Sequence, residues 1–283
     1  MLKNTFCHIP GIGVIREKRL WAEGIESWDR FSDLGAVRLT PRRREVIARC
    51  LEASWLHAEE QNPNYFADRL PAHLHWRLFP EFRDRLAYVD IETTGLEPWD
   101  HSITSIALYD GRRIRTYVQG QNLEDFETDI EDYKILITYN GKCFDIPFIQ
   151  SYFRTRLDHV QIDLRYVLKS LGYAGGLKGC EARLGIDRAD LAGVDGFFAV
   201  LLWNEYSRTG DEKALETLLA YNIEDVVNLE ILMVMAYNMK LRETPFGQSH
   251  RIEMPGRPEI PFAPDLPTIH RLKDRIGAPG IWG

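Results

Sequence analysis

Leu86-Ala87-Tyr88-Val89-Asp90-Ile91-Glu92-Thr93-Thr94-Gly95 is the stretch whose reading decides the fold. The apolar run from Leu86 to Ile91 suits a short buried strand. Asp90 and Glu92 stand two apart within it, so the period of a strand puts both side chains on one face. Thr93, Thr94 and Gly95 then break the strand. Two carboxylates on the face of a buried strand are costly unless they are paired or bind a cation. The alternative is an acidic surface turn, which the apolar residues ahead of Asp90 disfavour.

Downstream of this strand, Ile103–Tyr109 and Ile114–Val118 alternate around the turn Asp110-Gly111 and predict an antiparallel hairpin. A short helix is expected over Leu123–Ile130 and a strand over Lys134–Thr138. Asn140-Gly141 then turns the chain into a helix near Phe144–Tyr152, and His159–Asp163 is the last strand. Helical patterns follow around Leu164–Leu171, Leu177–Leu184, Phe197–Ser207 and Glu212–Asn238. Hairpin strands first, then strands alternating with helices, predict an α/β fold with a mixed sheet flanked by helices. Upstream, residues 1–84 read as a small helical N-terminal region. Residues 241–283 are rich in Pro and Gly, show little periodicity, and are expected to be an extended or partly disordered tail. The expected units are therefore 1–84, 85–240 and 241–283.

Two more acidic motifs accompany the first. Asp145 sits among Phe144, Ile146 and Phe148, as an isolated acid in an apolar stretch. Helix capping explains it as well as catalysis does. Tyr221 and Asp225, in Tyr221-Asn222-Ile223-Glu224-Asp225, are four apart and share one helix face. A core tyrosine beside a partly exposed acid is the plainer account of that pair alone. Glu224 is expected to face solvent. Asn140, Lys142 and Asp163 stay outside the site: a turn, a solvated lysine and a helix cap explain them equally well.

Taken together, Asp90-Ile91-Glu92-Thr93-Thr94-Gly95, Tyr139-Asn140-Gly141-Lys142-Cys143-Phe144-Asp145 and Tyr221-Asn222-Ile223-Glu224-Asp225 resemble the DEDD exonucleases. Gly175–Ile186 adds a likeness to the YprB-like proteins with a ribonuclease H-like domain. The resemblance spans about residues 85–235. It implies a ribonuclease H-like fold, two divalent cations (Mg2+ or Mn2+) held by Asp90, Glu92, Asp145 and Asp225, and Tyr221 orienting the attacking water. That tyrosine marks the DEDDy subtype. Asp90, expected to lie deepest in the strand, is expected to bridge the cations. A 3′→5′ exonuclease acting on single-stranded DNA or RNA is the implied activity. A structure-selective endonuclease and a nucleic-acid-binding module without turnover stay open. The residue types agree, because hard cations prefer oxygen ligands and two of them can serve both ends of a phosphodiester hydrolysis.

The formal net charge is −7, which does not advertise a nucleic-acid binder. Bound cations would invert that local charge. Residues 1–85 are near neutral, with 14 Lys+Arg against 12 Asp+Glu, so the acidity lies in the remainder. The four cysteines (Cys7, Cys50, Cys143, Cys180) have no zinc-like spacing and suit free thiols. No apolar run nears the roughly 20 residues of a membrane span, and Met1–Phe6 lacks a signal peptide's apolar stretch, so a cytoplasmic location is expected. No protein partner can be read from the sequence.

In the front region, His8-Ile9-Pro10-Gly11-Ile12-Gly13 followed by Glu17, Leu20 and Trp21 resembles a helix-hairpin-helix motif. Glycines there would let phosphate approach backbone amides. Almost nothing precedes the hairpin, so a packing role stands beside the binding one. Arg42-Arg43-Arg44 opens another expected helix, either as a solvated face or as a track for a nucleic-acid backbone.

Overall fold

The structure, a computed structural model, describes residues 1–33, 40–191 and 193–277. Its centre is a five-stranded mixed sheet in the order β3-β2-β1-β4-β5. The strands are β1 (Leu86–Thr93), β2 (Ile103–Tyr109), β3 (Ile114–Val118), β4 (Ile135–Thr138) and β5 (Val160–Asp163). β1, β2 and β3 pair antiparallel, while β4 and β5 run parallel to β1. The fold is thus the expected α/β arrangement, with the hairpin at Asp110-Gly111 where the turn chemistry placed it.

The front of the chain supplies α1 (Val14–Ala22), α2 (Pro41–Glu59) and α3 (Pro63–Ala67). α4 (Asp125–Asp129) and α5 (Asp145–Phe153) sit between strands. α6 (Leu164–Ser170), α7 (Gly176–Leu184), α8 (Gly196–Thr209) and α9 (Glu212–Leu241) follow β5. None of the described helices is long and apolar enough to cross a membrane.

Alternation along β1 divides the core. Ala87, Val89 and Ile91 pack with Leu136, Ile146, Phe148 and Ile149 on the α5 side of the sheet. Leu86 and Tyr88 join the opposite core, with Ile223, Val226 and Val227 of α9. Asp90 and Glu92 continue the second set by parity, so they emerge under α9. Burial on both faces explains why β1 reads as a nearly continuous apolar run. Its neighbours opposite the acids are small: Asp90 pairs with Ala107 and Glu92 with Ser105. Small side chains there leave room for the carboxylates and for α9.

One expectation needs correction. The tail is not without periodic structure, because Leu266–Gly277 form α10. Asp265 caps it by accepting from the amide of Thr268 at 2.9 Å, and Pro267 sits in the first turn, where a missing N–H costs nothing. Ile269 and Leu272 bury against α8 and α9. Pro and Gly had masked that short repeat. The extended segment ahead of it is pinned by Asn238, whose side chain exchanges hydrogen bonds with the Ile252 amide and carbonyl at 3.0 and 2.8 Å. Residues 278–283 of the expected tail lie outside the described residues.

The hairpin Pro10–Gly13 is preceded by no more than a turn, as the few residues ahead of it allow. It has a helix on one side only, α1, because the residues before it form a 3-10 turn at Leu2–Asn4. Glu17 of α1 points inward and accepts from the amides of Phe6 and Cys7 at 2.7 and 3.2 Å. It also pairs with Arg77 at 2.8 Å in a buried ion pair. Arg43 donates to the Pro10 carbonyl at 2.7 Å. One arginine of the basic run therefore braces the turn. The front region shares its apolar core with α9 through Trp76, Phe79 and Tyr237.

Candidate active site

β1 and α9 build the site between them. Asp90, Glu92 and Asp225 each place a carboxylate oxygen within 4.8 Å of the others. Asp145, at the start of α5, lines the same cavity, as does Tyr221. All five residues singled out from the sequence are thus brought to one cavity, with Asp145 outside the tightest group. Glu92, Asp145, Tyr221 and Asp225 are buried, whereas Asp90 is partly exposed. Depth therefore belongs to Glu92 rather than to Asp90.

The electrostatics are those of anions crowded out of water. Burial is the leading cause that raises the carboxyl pKa of Asp90 and Glu92 well above the ordinary range, and Asp225 and Asp145 add to it. Burial likewise lifts Asp145 to about 7, partly opposed by the backbone amides of Asp145 and Ile91. Asp225 is lifted to about 6, again by burial, with the Arg188 guanidinium pulling the other way. A site that resists its own charge in the absence of counter-ions suits cations. The Tyr221 phenol is pushed far up, first by burial and then by Asp225, Glu92 and Asp90.

Several residues at the site escaped the sequence reading. Asn222 donates to the Asp90 carboxylate at 2.8 Å and accepts from Ser105 at 3.0 Å, tying α9 to β1 and β2. An Asn inside an otherwise apolar helical stretch was the available signal. Lys178 lies 4.8 Å above the Tyr221 ring. Arg188 approaches Asp225 at 2.5 Å. Glu224 does not face solvent: it is 3% exposed and is bound by Asn228 and Arg257.

Of the residues set aside, Asp163 is buried and caps α6 by accepting from the Arg165 amide at 3.0 Å. It also accepts from the amides of Asn140 and Lys142, at 2.8 and 3.2 Å. Asn140 takes a left-handed φ of 67°. A Cβ on Gly141 would collide with the Thr138 side chain, so the turn that delivers Asp145 has no space for a side chain there. Lys142 is exposed.

No curated protein gives a significant sequence match. Among solved structures, the family B DNA polymerase from Pyrobaculum calidifontis is similar over 56% of this chain, at 16% identity and a TM-score of 0.43. The alignment takes in 24% of the polymerase, so the chain spans about a quarter of it. A nuclease in its apo form aligns over 60% of this chain and 78% of its own, at 19% identity and a TM-score of 0.41. NrnC from Brucella melitensis aligns over 61% and 81%, at 15% identity and a TM-score of 0.38. The model of the RNase_H superfamily matches residues 87–237, just over half the chain. That span runs from β1 into α9 and holds all four carboxylates, and on it the chain belongs to the RNase_H superfamily, with an RNase H-like fold.

Proposed function

We propose that the protein is a metal-dependent nuclease of the DEDDy type that removes nucleotides from the 3′ end of single-stranded DNA or RNA. The observation that carries this reading is the gathering of Asp90, Glu92 and Asp225 within 4.8 Å, in a cavity that Asp145 and Tyr221 also line. The four acids offer carboxylate oxygens, the ligand type that Mg2+ and Mn2+ prefer. Asp90, Glu92, Asp145 and Asp225 are the residues that would hold the ions. When bound, two such cations supply an activated water and stabilise the leaving oxygen.

The chain's own residues do the rest. Asn222 fixes the Asp90 carboxylate. Tyr221 keeps its proton at any ordinary pH, so it orients a water by hydrogen bonding rather than by acting as a base. Leu96, Phe144, Leu177 and Phe197 line the same cavity beside the acids, and Leu96 and Phe197 are 75% and 52% exposed. Such an apolar rim suits the faces of unstacked bases, which favours a single strand over a duplex. Contact between nucleic-acid phosphate and the exposed glycines of the Pro10–Gly13 turn belongs to the same reading.

Product size tests the mode of cleavage. Single nucleotides released from the 3′ end are expected; discrete internal fragments would make the enzyme an endonuclease instead. Tyr221→Phe should slow turnover by about ten- to a hundredfold, roughly 1.4–2.7 kcal/mol of barrier, with KM little changed. Full activity in that variant would remove Tyr221 from the mechanism.

A further inference from the structure

Asp225 is not held by its own helix alone. Arg188, in the loop after α7, places Nη1 2.5 Å from the Asp225 Oδ1. The same guanidinium grips Glu181 of α7 with its other two nitrogens, at 2.6 and 2.7 Å. Glu181 is in turn held by Asn228 of α9 at 2.9 Å, and the Asn228 amide also reaches Glu224 at 3.2 Å. Arg257, from the extended segment after α9, closes the chain on Glu224. The side chains of Arg188, Glu181 and Asp225 are only 7%, 1% and 6% exposed.

The charges in this row matter as much as the distances. A lone arginine against Asp225 would cancel the negative charge that a cation needs. Here Glu181 already balances Arg188, so Asp225 stays the one uncompensated charge of the trio. The two-nitrogen grip on Glu181 also fixes the plane of the guanidinium, because the fork is rigid. Breaking one partner of such a buried set leaves a bare charge behind, which is costly.

We infer that Arg188 and Glu181 form a charge-neutral clamp that positions Asp225 for divalent-cation binding without lowering the negative charge that it offers. The inference rests on the proposed metal site and adds positioning residues to it. Arg188 and Glu181 themselves touch no cation in this account.

Variants separate position from charge. In Glu181→Gln the guanidinium loses its balance and opposes an incoming cation. In the double variant Glu181→Gln/Arg188→Met the trio keeps the wild-type net charge, and only the hold on Asp225 is gone. Mn2+ binding to the full chain, read by electron paramagnetic resonance and by calorimetry, should weaken at least tenfold in both. Arg188→Lys keeps the positive charge but cannot grip Glu181 with two nitrogens while reaching Asp225. It should lose about fivefold, and it serves as the test if the double variant does not fold. Wild-type Mn2+ affinity in a folded double variant, or in Arg188→Lys, would overturn the clamp. Absence of Mn2+ binding by the wild-type protein would instead overturn the metal site on which the clamp depends.

Discussion

Asp145→Asn and Asp225→Asn should each lower cleavage on the order of a thousandfold or more, about 4 kcal/mol of barrier, while raising the melting temperature of the metal-free protein. The two effects have one cause. Four carboxylates share one cavity, three of them buried, and burial raises the pKa of each above its ordinary value. Without cations, each charge opposes folding. An amide removes one such charge and with it one ligand. Each removal should stabilise the metal-free fold by about 1 kcal/mol or more, roughly 2–4 °C.

The sign with pH follows from the direction of the shifts. Carboxyl groups raised in the fold destabilise it most when fully ionised, above pH about 7 for Asp145. That penalty is relieved as the pH falls through the folded-state values toward the ordinary carboxylate range. The metal-free protein should therefore melt higher at pH 6 than at pH 8, and the gap should shrink in Asp145→Asn. Mn2+ should raise the wild-type melting temperature at pH 8 and do so less in either variant. A melting temperature that falls in both variants without metal would show that the carboxylates are satisfied by something other than cations.

The second large effect lies away from the chemistry. Glu17→Ala should cost about 3–5 kcal/mol, the usual cost of stripping one partner from a buried ion pair. Glu17 is fully buried, pairs with Arg77 at 2.8 Å, and holds the amides of Phe6 and Cys7. Its loss leaves a buried guanidinium and two amides without their acceptor. Since domain stabilities run to about 5–15 kcal/mol, much of the total is at stake. Urea unfolding followed by tryptophan fluorescence gives the measurement, because Trp21 and Trp28 lie in that core. A shared core between the front region and α9 predicts one transition that moves as a whole. A loss below about 1 kcal/mol would mean that the pair is not what fastens the front of the chain.

The central strands and helices were legible because local pattern sufficed for them. The run from Leu86, the Asp110-Gly111 turn and the period-two stretches on either side each carry their own signal, and so does the four-residue spacing of Tyr221 and Asp225. The partners of those acids carried none. Asn222 reaches Asp90 across 132 positions, and Arg188 means little until the chain folds α7 against α9. Glu224 looked solvent-facing because Asp225 beside it had claimed the inner face. On a long helix buried almost all round, both faces are inside. The helix Leu266–Gly277 was hidden for a different reason, since prolines at a helix start resemble those of an extended tail.

The most direct measurement is an incubation of the protein with Mg2+ or Mn2+ and end-labelled single-stranded DNA and RNA, with EDTA and Asp90→Asn as controls. Stepwise shortening from the 3′ end, dependent on the cation and lost in Asp90→Asn, is the predicted result. Intact substrate under every metal condition, or cleavage that persists in Asp90→Asn, would contradict the assignment of catalysis to this carboxylate cluster.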